Sequence, residues 1–430
     1  MATRSHDLLE SLFRSAVAAA HPSRCLQPQL PEPPARGRLI VLAAGKAAGS
    51  LTEVAEAHYL ARLPQDRLSG IAVTRHGYGR PTTLIPVVEA GHPVPDEAGL
   101  AGAEKMLAIA DGAGADDLVL VLLSGGASAN LIAPAPGISF ADKQAATRAI
   151  LRSGANIGEF NCVRKHLSRI KGGRLTKHAH PAKVVTLAIS DVPGDDPAVI
   201  GSGPTVPDPT TLADARAIIA KYRLDLPPAV IRALDNPGNE SPKPGDAAFA
   251  KTEYRILARP ADALAAAQAR AQEAGYDCVV LSDRLQGEAR EVAAAHARLA
   301  RDYAAQSRRI VILSGGELTV TLRGNGQGGP NQEYALALAI HLDGAKGIAA
   351  MAADTDGTDG GRGRPDDPAG AFIDETTLTR ARTAGLDPAA FLADNNSTGF
   401  FNGIGDIFVP GPTFTNVTDF RAIVVDTLVS

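Results

Sequence analysis

The run Asp117–Asn130 (DLVLVLLSGGASAN) decides the fold class, because an unbroken apolar stretch ends abruptly in a loop of glycine and serine. An apolar run of this length predicts a strand that is buried on both faces. Two further runs have the same form: Arg38–Leu42 (RLIVL) precedes AAGK and a helical pattern over Ala47–Leu60, and Lys183–Ile189 (KVVTLAI) precedes SDVPGDDP. Strands that alternate with helices in this way predict parallel βαβ units and an α/β fold.

The chain of 430 residues is long enough for two or three domains, and its pattern predicts two. The best linker candidate is Asn236–Asp246 (NPGNESPKPGD), which is polar and rich in proline and glycine. We therefore place the domains at 1–240 and 250–430. The second domain has predicted strands at 254–257, 278–281, 310–313 and 347–352, a half-exposed strand at 317–323, and helices at 261–273, 288–306 and 331–342.

Composition excludes several classes of protein. Lys+Arg 43 against Asp+Glu 47 gives a net charge of −4, which argues against a nucleic-acid partner or an anionic membrane surface. The amphipathic N-terminal stretch (MATRSHDLLESLFRSAVAAA) predicts a structural helix, and we expect no membrane span. Three scattered cysteines support neither a disulfide framework nor a zinc site, so a cytoplasmic protein is expected.

Glycine-rich loops follow the predicted strands of the first domain, where open α/β sheets bind ligands. Lys46 stands between a strand and a helix start, and the backbone of Ser124–Asn130 can converge on a phosphate or another oxyanion. In Asp191–Asp208 (DVPGDDPAVIGSGPTVPD), Asp191 and Asp195 can bind a cation or substrate hydroxyls. The structural alternatives are a surface lysine, a tight βα connection and Asp residues that form turns.

The second domain carries a comparable set of loops. Glu317 follows SGG, and Gly324–Gly329 (GNGQGG) fits a dinucleotide fingerprint, although the strand before it is polar and alternating. Asp354–Gly361 (DTDGTDGG) opens like a calcium loop but lacks the glutamate at position twelve. Such carboxylates suit Mg²⁺ with phosphate oxygens and water, or they satisfy their own turn. Glycine-rich loops, a lysine and clustered carboxylates together favour phosphoryl transfer.

Longer motifs then identify a family. The chain closely resembles the glycerate 2-kinase family over nearly its whole length, in strings that keep the family's order: LAAGKAAGS, AGHPVPDEAG, LLSGGASANL, KHLSRIKGGRL, AISDVPGDDPAVIGSGPT, LSGGELTV, GGPNQEYALALA, AADTDGTDGG and NNST. The resemblance implies an N-terminal Rossmann-like parallel-sheet sandwich, a C-terminal α/β MOFRL domain and an active site in the interdomain cleft. It also implies that ATP and Mg²⁺, or another divalent cation, phosphorylate D-glycerate at its 2-hydroxyl, and it leaves a homodimer open.

The resemblance also assigns roles to residues. Lys46 and Asp191 are the implied catalytic residues, with Lys46 stabilising the phosphoryl group or the glycerate carboxylate and Asp191 acting as base or hydroxyl-orienting group. Lys165, Arg169 and Arg323 are implied substrate-binding cations, and Asp354 and Asp356 are implied metal ligands. Residues assigned to ATP come from the glycine-rich segments of both domains: Ser124, Gly125, Gly126, Ser128, Gly201, Ser202, Gly203, Glu317, Gly326 and Asn331.

The sequence departs from the family motif at one position, and two alternative functions remain open. Some relatives carry arginine where Pro330 stands, so another cation such as Arg323 would have to replace it if that arginine is catalytic. The chief rival is an NAD(P)H-dependent hydroxypyruvate reductase, which is the family's older label and draws on GNGQGG. The position of that loop, far from the first βαβ turn, argues against it. The second rival is a non-catalytic metabolite-binding protein.

Overall fold

The computed structural model describes residues 2–361, 364 and 366–426. The helices are, in chain order, α1 (Ala2–Ala20), α2 (Pro22–Cys25), α3 (Ala48–Leu60), α4 (Glu97–Asp111), α5 (Ala127–Asn130), α6 (Phe140–Arg152), α7 (Ile157–His166), α8 (Arg174–Ala179), α9 (Leu212–Tyr222), α10 (Pro228–Asp235), α11 (Pro260–Glu273), α12 (Ala289–Ala305), α13 (Pro330–Leu342), α14 (Thr377–Thr383), α15 (Pro388–Ala393) and α16 (Ser397–Ile404). The strands are β1 (Leu39–Ala44), β2 (Leu68–Arg75), β3 (Val87–Ala90), β4 (Leu118–Leu123), β5 (Lys183–Ile189), β6 (Thr252–Ala258), β7 (Asp277–Val280), β8 (Arg309–Ser314), β9 (Ile348–Asp354), β10 (Gly370–Ile373), β11 (Ile407–Phe408) and β12 (Asp419–Asp426).

The chain forms two compact units, one of Cys25–Leu257 and one of Met1–Arg24 with Ala258–Ser430. The first unit is built on a six-stranded sheet in the order β3-β2-β1-β4-β5-β6. The strands β1 to β5 pair in parallel, as the apolar runs predict. Every residue of β1 and β4 is buried, because helices supply apolar cover.

Register places the loops of this unit side by side. Ala44, the last residue of β1, is opposite Leu123, the last residue of β4, and Leu123 is opposite Ala188 near the end of β5. The loops after three neighbouring strands therefore leave the same edge of the sheet. Four further helices, α6, α7, α9 and α10, form a separate apolar cluster around Phe160 and Leu234.

The second unit is built on a mixed six-stranded sheet in the order β11-β10-β9-β12-β8-β7. Only the β7–β8 pairing is parallel among the pairings described, and β12 runs antiparallel to both β8 and β9. The helices α12 and α13 pack with the sheet in an alanine-rich core that includes Ala293, Leu336 and Ile423.

The N-terminal helix belongs to this second unit, whereas the predicted boundaries place it in the first domain. Its buried face carries Leu9, Leu12 and Phe13, and the Phe13 ring makes edge contacts with Phe408 and Phe420. An apolar stripe has to be buried against some partner, and the helical pattern alone does not say which.

Two strand predictions need correction. The strand predicted at 254–257 is present within β6, but it completes the first sheet beside β5 instead of opening the second domain, so the segment 236–246 does not separate the units. The strand predicted at 317–323 is wrong, because this segment makes only an isolated bridge from Thr319 to Glu288. Carboxylates take the place of a neighbouring strand there: Leu318 N donates to Asp419 Oδ2, and Thr321 N donates to Glu288 Oε1.

Candidate active site

Lys46 and the SGGAS loop form one structure in the first unit. The main-chain nitrogen of Lys46 donates to the carbonyl oxygen of Gly125 over 2.8 Å. The next nitrogen along the chain, that of Ala47, donates to Ser124 Oγ over 2.9 Å. Both bonds follow from the register of β1 and β4, which ends the two strands side by side. The loops after these strands are therefore held as one surface.

Two glycines allow this close approach. Gly45 has φ +115°, and a Cβ on it would lie 2.4 Å from Ser124 Oγ. Gly126 has φ +85°, and a Cβ on it would lie 3.0 Å from the His92 ring and 3.2 Å from Lys46 Cγ. These backbone conformations disfavour any residue with a side chain. The glycines thus bring the half-buried side chains of Lys46 and His92 against the loop.

The loop after β5 joins the same cluster. Ser202 Oγ lies 2.7 Å from Ser128 Oγ, and the Cβ of Ala127 is 3.3 Å from the position of a Cβ on Gly201. Of the predicted residues, Ser128, Gly201 and Ser202 are thus in direct proximity, and Gly203 follows with φ +59°. Asp191 and Asp195 lie in the same loop, half-buried.

The two cations predicted from helix α7 and the turn after it have protein partners. Lys165 is buried, and its Nζ lies 3.4 Å from Oδ1 of the fully buried Asp208. Arg169 donates from Nε to the carbonyl of Pro134 over 2.9 Å and is paired through Nη2 with Glu104. Both cations therefore have contacts that hold the unit together.

In the second unit, the Asp-rich loop forms a compact turn after β9. Asp354 Oδ1 accepts from Asp356 N over 2.9 Å, and Asp356 Oδ1 accepts from Thr358 N over 2.8 Å. Asp356 is buried, while Asp354 is partly exposed. Among the described residues, no group of three His, Cys, Asp or Glu side chains is arranged to hold a metal ion. Of the three aspartates in the described loop 354–361, Asp354 alone is placed to contribute an accessible carboxylate.

The third aspartate of this loop caps helix α13. Both oxygens of Asp359 accept hydrogen bonds, from Asn331 N and Nδ2 at 3.0 and 3.1 Å and from Gln332 N and Nε2 at 2.8 and 3.1 Å. Burial, reinforced by the negative charge of Asp419, raises the pKa of Asp359 to about 7. The carboxyl group thus occupies the main-chain N–H groups at the start of the helix, as an N-terminal cap does.

A buried polar network continues from this cap. The Asn331 amide also donates to Asp419 Oδ1 over 2.7 Å, and Asp419 Oδ2 accepts from Arg421 Nη1 over 2.9 Å. Arg421 in turn donates to the carbonyls of Gly315 and Gly316. Asn331, predicted as an ATP contact, is fully buried and connects two loops of the unit.

The remaining predicted residues of this unit lie on loops around the network. Glu317 and the Arg323 side chain are exposed. The backbone of Arg323 donates to Asn395 Oδ1 over 2.7 Å, and Gly326 N donates to the carbonyl of Asp394 over 2.9 Å. The Gly324–Gly329 loop is thereby tied to the segment 394–396.

Comparison with known proteins finds one family model in each half of the chain. A family model described as a domain of unknown function, DUF4147, matches residues 8–235, and the model of the MOFRL family matches residues 310–419. A D-glycerate 2-kinase of Thermotoga maritima is 37% identical over 413 residues, which cover 95% of this chain and 95% of the relative. The chain belongs to the glycerate 2-kinase family.

One solved structure and one further relative are also similar to the chain. The crystal structure of a glycerate kinase from Thermotoga maritima superposes with a TM-score of 0.84 at 34% identity, covering 97% of this chain and 99% of that one. A protein of Agrobacterium vitis, provisionally named a hydroxypyruvate reductase, is 49% identical over 427 residues, which cover 98% of this chain and 94% of the relative. None of the helices in the described residues combines the length and apolar character that crossing a membrane requires.

The resemblance to the glycerate 2-kinase motifs assigned a role to Lys165 and none to its neighbour Arg164. Arg164 Nη1 donates to Ser202 Oγ at 3.4 Å, which places the guanidinium beside the clustered loops. Successive residues of a helix point in different directions, so only one of the two can face the loops. The adjacent cations in VRKH were a signal in the sequence, but spacing alone could not choose between them.

Proposed function

We propose that the chain is an ATP-dependent kinase that phosphorylates the 2-hydroxyl of D-glycerate, giving 2-phosphoglycerate and ADP. The names of the relatives support glycerate as the acceptor, and a kinase implies ATP as the donor. The structural observation that supports the proposal is the bond from Lys46 N to Gly125 O, because it holds a lysine beside a glycine- and serine-rich loop of the kind that can bind an anion.

In this reaction the oxygen of the 2-hydroxyl forms a bond to the γ-phosphorus of ATP, and the bond from that phosphorus to the β–γ bridging oxygen breaks. Lys46 offsets the negative charge of the transferring group. Asp191 orients the acceptor hydroxyl and takes its proton. The loops at 124–128 and 201–203 hold phosphate oxygens through main-chain N–H groups and hydroxyls, and Lys165, Arg169 and Arg323 contribute positive charge.

The carboxylate oxygens of the Asp-rich loop in the second unit are donors of the kind that binds a divalent cation. Mg²⁺ commonly takes one or two carboxylates and completes its shell with phosphate oxygens and water. Asp354 offers a partly exposed carboxylate, and Asp356 supports the turn that presents it. A bound cation would neutralise phosphate charge. Glu317 and the Gly324–Gly329 loop complete the proposed ATP contacts of this unit, with Asn331 holding the loops in place.

The reductase alternative depends on GNGQGG, and the structure argues against a dinucleotide there. In a dinucleotide fold the glycine loop joins a strand to a helix, and the helix N-terminus faces the pyrophosphate. Here the preceding segment is not a strand, and the N–H groups of Asn331 and Gln332 donate to Asp359. A carboxylate at that position would repel a pyrophosphate when ionised.

A pair of assays tests the proposal against both rivals. The purified protein is incubated with ATP, Mg²⁺ and D-glycerate, and ADP release is followed with a coupled enzyme system. In parallel, NADH oxidation is followed with hydroxypyruvate. We expect ADP release only when D-glycerate is present, and no NADH oxidation. NADH oxidation without ADP release would establish the reductase. Binding of ATP or D-glycerate with neither ADP release nor NADH oxidation would establish the non-catalytic protein.

A further inference from the structure

Near the serine pair at 128 and 202, the buried Lys143 and Lys171 and the partly exposed Arg164 have no carboxylate partner among the described residues of the first unit. Lys171 donates from Nζ to the carbonyl of Ser128 over 3.0 Å and to the carbonyl of Leu131 over 2.6 Å. Lys143 donates to the carbonyl of Leu167 over 2.6 Å, and Arg164 donates to Ser202 Oγ. Within the described part of the chain, no Asp or Glu side chain forms an ion pair with any of the three.

These cations are costly to the folded state. Burial, together with repulsion from Arg164 and Arg174, lowers the pKa of Lys143 to about 7. Burial also lowers the pKa of Lys171 well below its ordinary value and that of Arg164 to about 10. A buried charge is normally paired or exchanged for a neutral group. The neighbouring Lys165 has such a partner in Asp208, whereas these three side chains have no carboxylate partner among the described residues.

The cluster has an accessible side and a buried side. Lys143 and Lys171 are fully buried, with exposures of 2% and 0%, whereas Arg164 and Ser128 are partly exposed. The Arg164 guanidinium lies over the Phe160 ring at 4.6 Å, which fixes its position. A ligand can therefore reach the guanidinium and the Ser128 hydroxyl, while Ser202 and the two lysine side chains lie buried behind them.

We propose that Arg164 and the Ser128 hydroxyl, both held by the buried Ser202, bind one oxyanionic group of a reactant. The group is a carboxylate or a phosphate, since a guanidinium fork and hydroxyl donors recognise both. The two sources are the carboxylate of glycerate and the phosphates of the nucleotide. The choice between them rests on the proposed kinase function, whereas the existence of the anion site rests on the cluster itself.

The test compares Arg164→Gln and Arg164→Lys with the exposed control Arg152→Gln. Binding of D-glycerate and of ADP is measured separately by calorimetry and by the ligand-induced rise in Tm. Arg164→Gln is expected to weaken one of the two ligands at least ~10-fold, in keeping with loss of a charge-assisted contact, and to raise KM for the same reactant more than it lowers kcat. Arg164→Lys is expected to retain part of the affinity, and the control all of it.

Stability separates this role from a structural one. Removing a cation that has no carboxylate partner should leave the Tm of ligand-free Arg164→Gln unchanged or raised, while loss of a structural arginine would lower it. Two results would overturn the proposal. The first is that Arg164→Gln binds both ligands as tightly as the wild type does. The second is that Arg164→Gln has a lowered Tm without ligand and that Arg164→Lys binds the ligand no more tightly than Arg164→Gln. If the wild type binds D-glycerate or ADP through Arg164 but releases no ADP, the kinase function fails and the anion site stands.

Discussion

The main-chain nitrogen of Lys46 donates to the carbonyl oxygen of Gly125 over 2.8 Å, and with the neighbouring bond from Ala47 N to Ser124 Oγ it ties the loop after β1 to the loop after β4. The lysine side chain is thereby held next to a glycine-rich turn whose neighbours are Ser128 and Ser202. Preorganised charge of this kind stabilises a transition state without rearrangement during the reaction.

Lys46→Ala is expected to lower kcat at least ~100-fold, because it removes a preorganised charge from the transferring phosphoryl group. Steady-state kinetics with saturating ATP and D-glycerate measures the effect. Lys105→Ala, which removes an exposed lysine from α4, is the control and should behave like the wild type. Turnover by the Lys46 variant within a few-fold of the wild type would remove Lys46 from the reaction.

Ser124→Ala is expected to destabilise the first unit by about 1–3 kcal/mol, since the buried N–H of Ala47 would lose its acceptor. Urea unfolding followed by circular dichroism measures this loss. The misplaced loop should also lower kcat, because Lys46 precedes Ala47 directly. A variant as stable and active as the wild type would mean that the Ser124 hydroxyl does not position the loop.

Asp359→Asn is expected to lower the free energy of unfolding by about 1–3 kcal/mol. Both carboxyl oxygens accept from N–H groups, so the amide nitrogen of asparagine would face a donor on whichever side it lay. Thermal unfolding measures the change, with Asp302→Asn on the exposed face of α12 as the control. Equal Tm values for the two variants would contradict the capping role.

Lys143 makes stability depend on pH. Its pKa is about 7 in the folded protein and near 10.5 when unfolded, so between these values the unfolded chain holds more protons. The free energy of unfolding should therefore rise with pH across this window, by up to about 1.4 kcal/mol per pH unit from this group. Lys143→Met should flatten the dependence of the free energy of unfolding on pH. The carbonyl oxygen of Leu167 keeps a hydrogen bond in this variant, because Ala135 N also donates to it. Chemical unfolding between pH 7 and 10 tests this, and identical slopes for variant and wild type would refute it.

The pair of Lys165 and Asp208 supports a double-mutant cycle. Asp208→Asn should cost about 3–5 kcal/mol by leaving a buried ammonium without its counterion. Adding Lys165→Met should restore part of the loss. Additive losses would show that the two side chains do not stabilise each other. KM for D-glycerate, measured on Lys165→Met, separately tests the proposed contact between Lys165 and the substrate.

Local patterns predicted the first sheet well. The apolar runs at 38–42, 117–123 and 183–189 correspond to β1, β4 and β5, because a strand buried on both faces has to be apolar throughout. The pattern did not predict which sheet a strand joins or which elements a helix packs against. β6 joins the first sheet and α1 packs in the second unit, since an apolar face specifies burial without specifying the neighbour.

The proximity of two loops could be predicted where both follow neighbouring strands of the parallel sheet. Lys46 and the SGGAS loop meet because adjacent strands end in register, and the sequence places both loops after such strands. The cap formed by Asp359 joins residues 28 positions apart. The cluster around Arg164 draws on four separate segments, so its unpaired charge is visible only in the folded chain.

The identity of the product tests the central proposal most directly. The protein is incubated with ATP, Mg²⁺ and D-glycerate, and the mixture is analysed by phosphorus NMR against authentic 2-phosphoglycerate and 3-phosphoglycerate. We expect 2-phosphoglycerate and ADP to appear in equal amounts. A product phosphorylated on the 3-hydroxyl would contradict the assigned position, and no phosphorylated glycerate at all would contradict the kinase function.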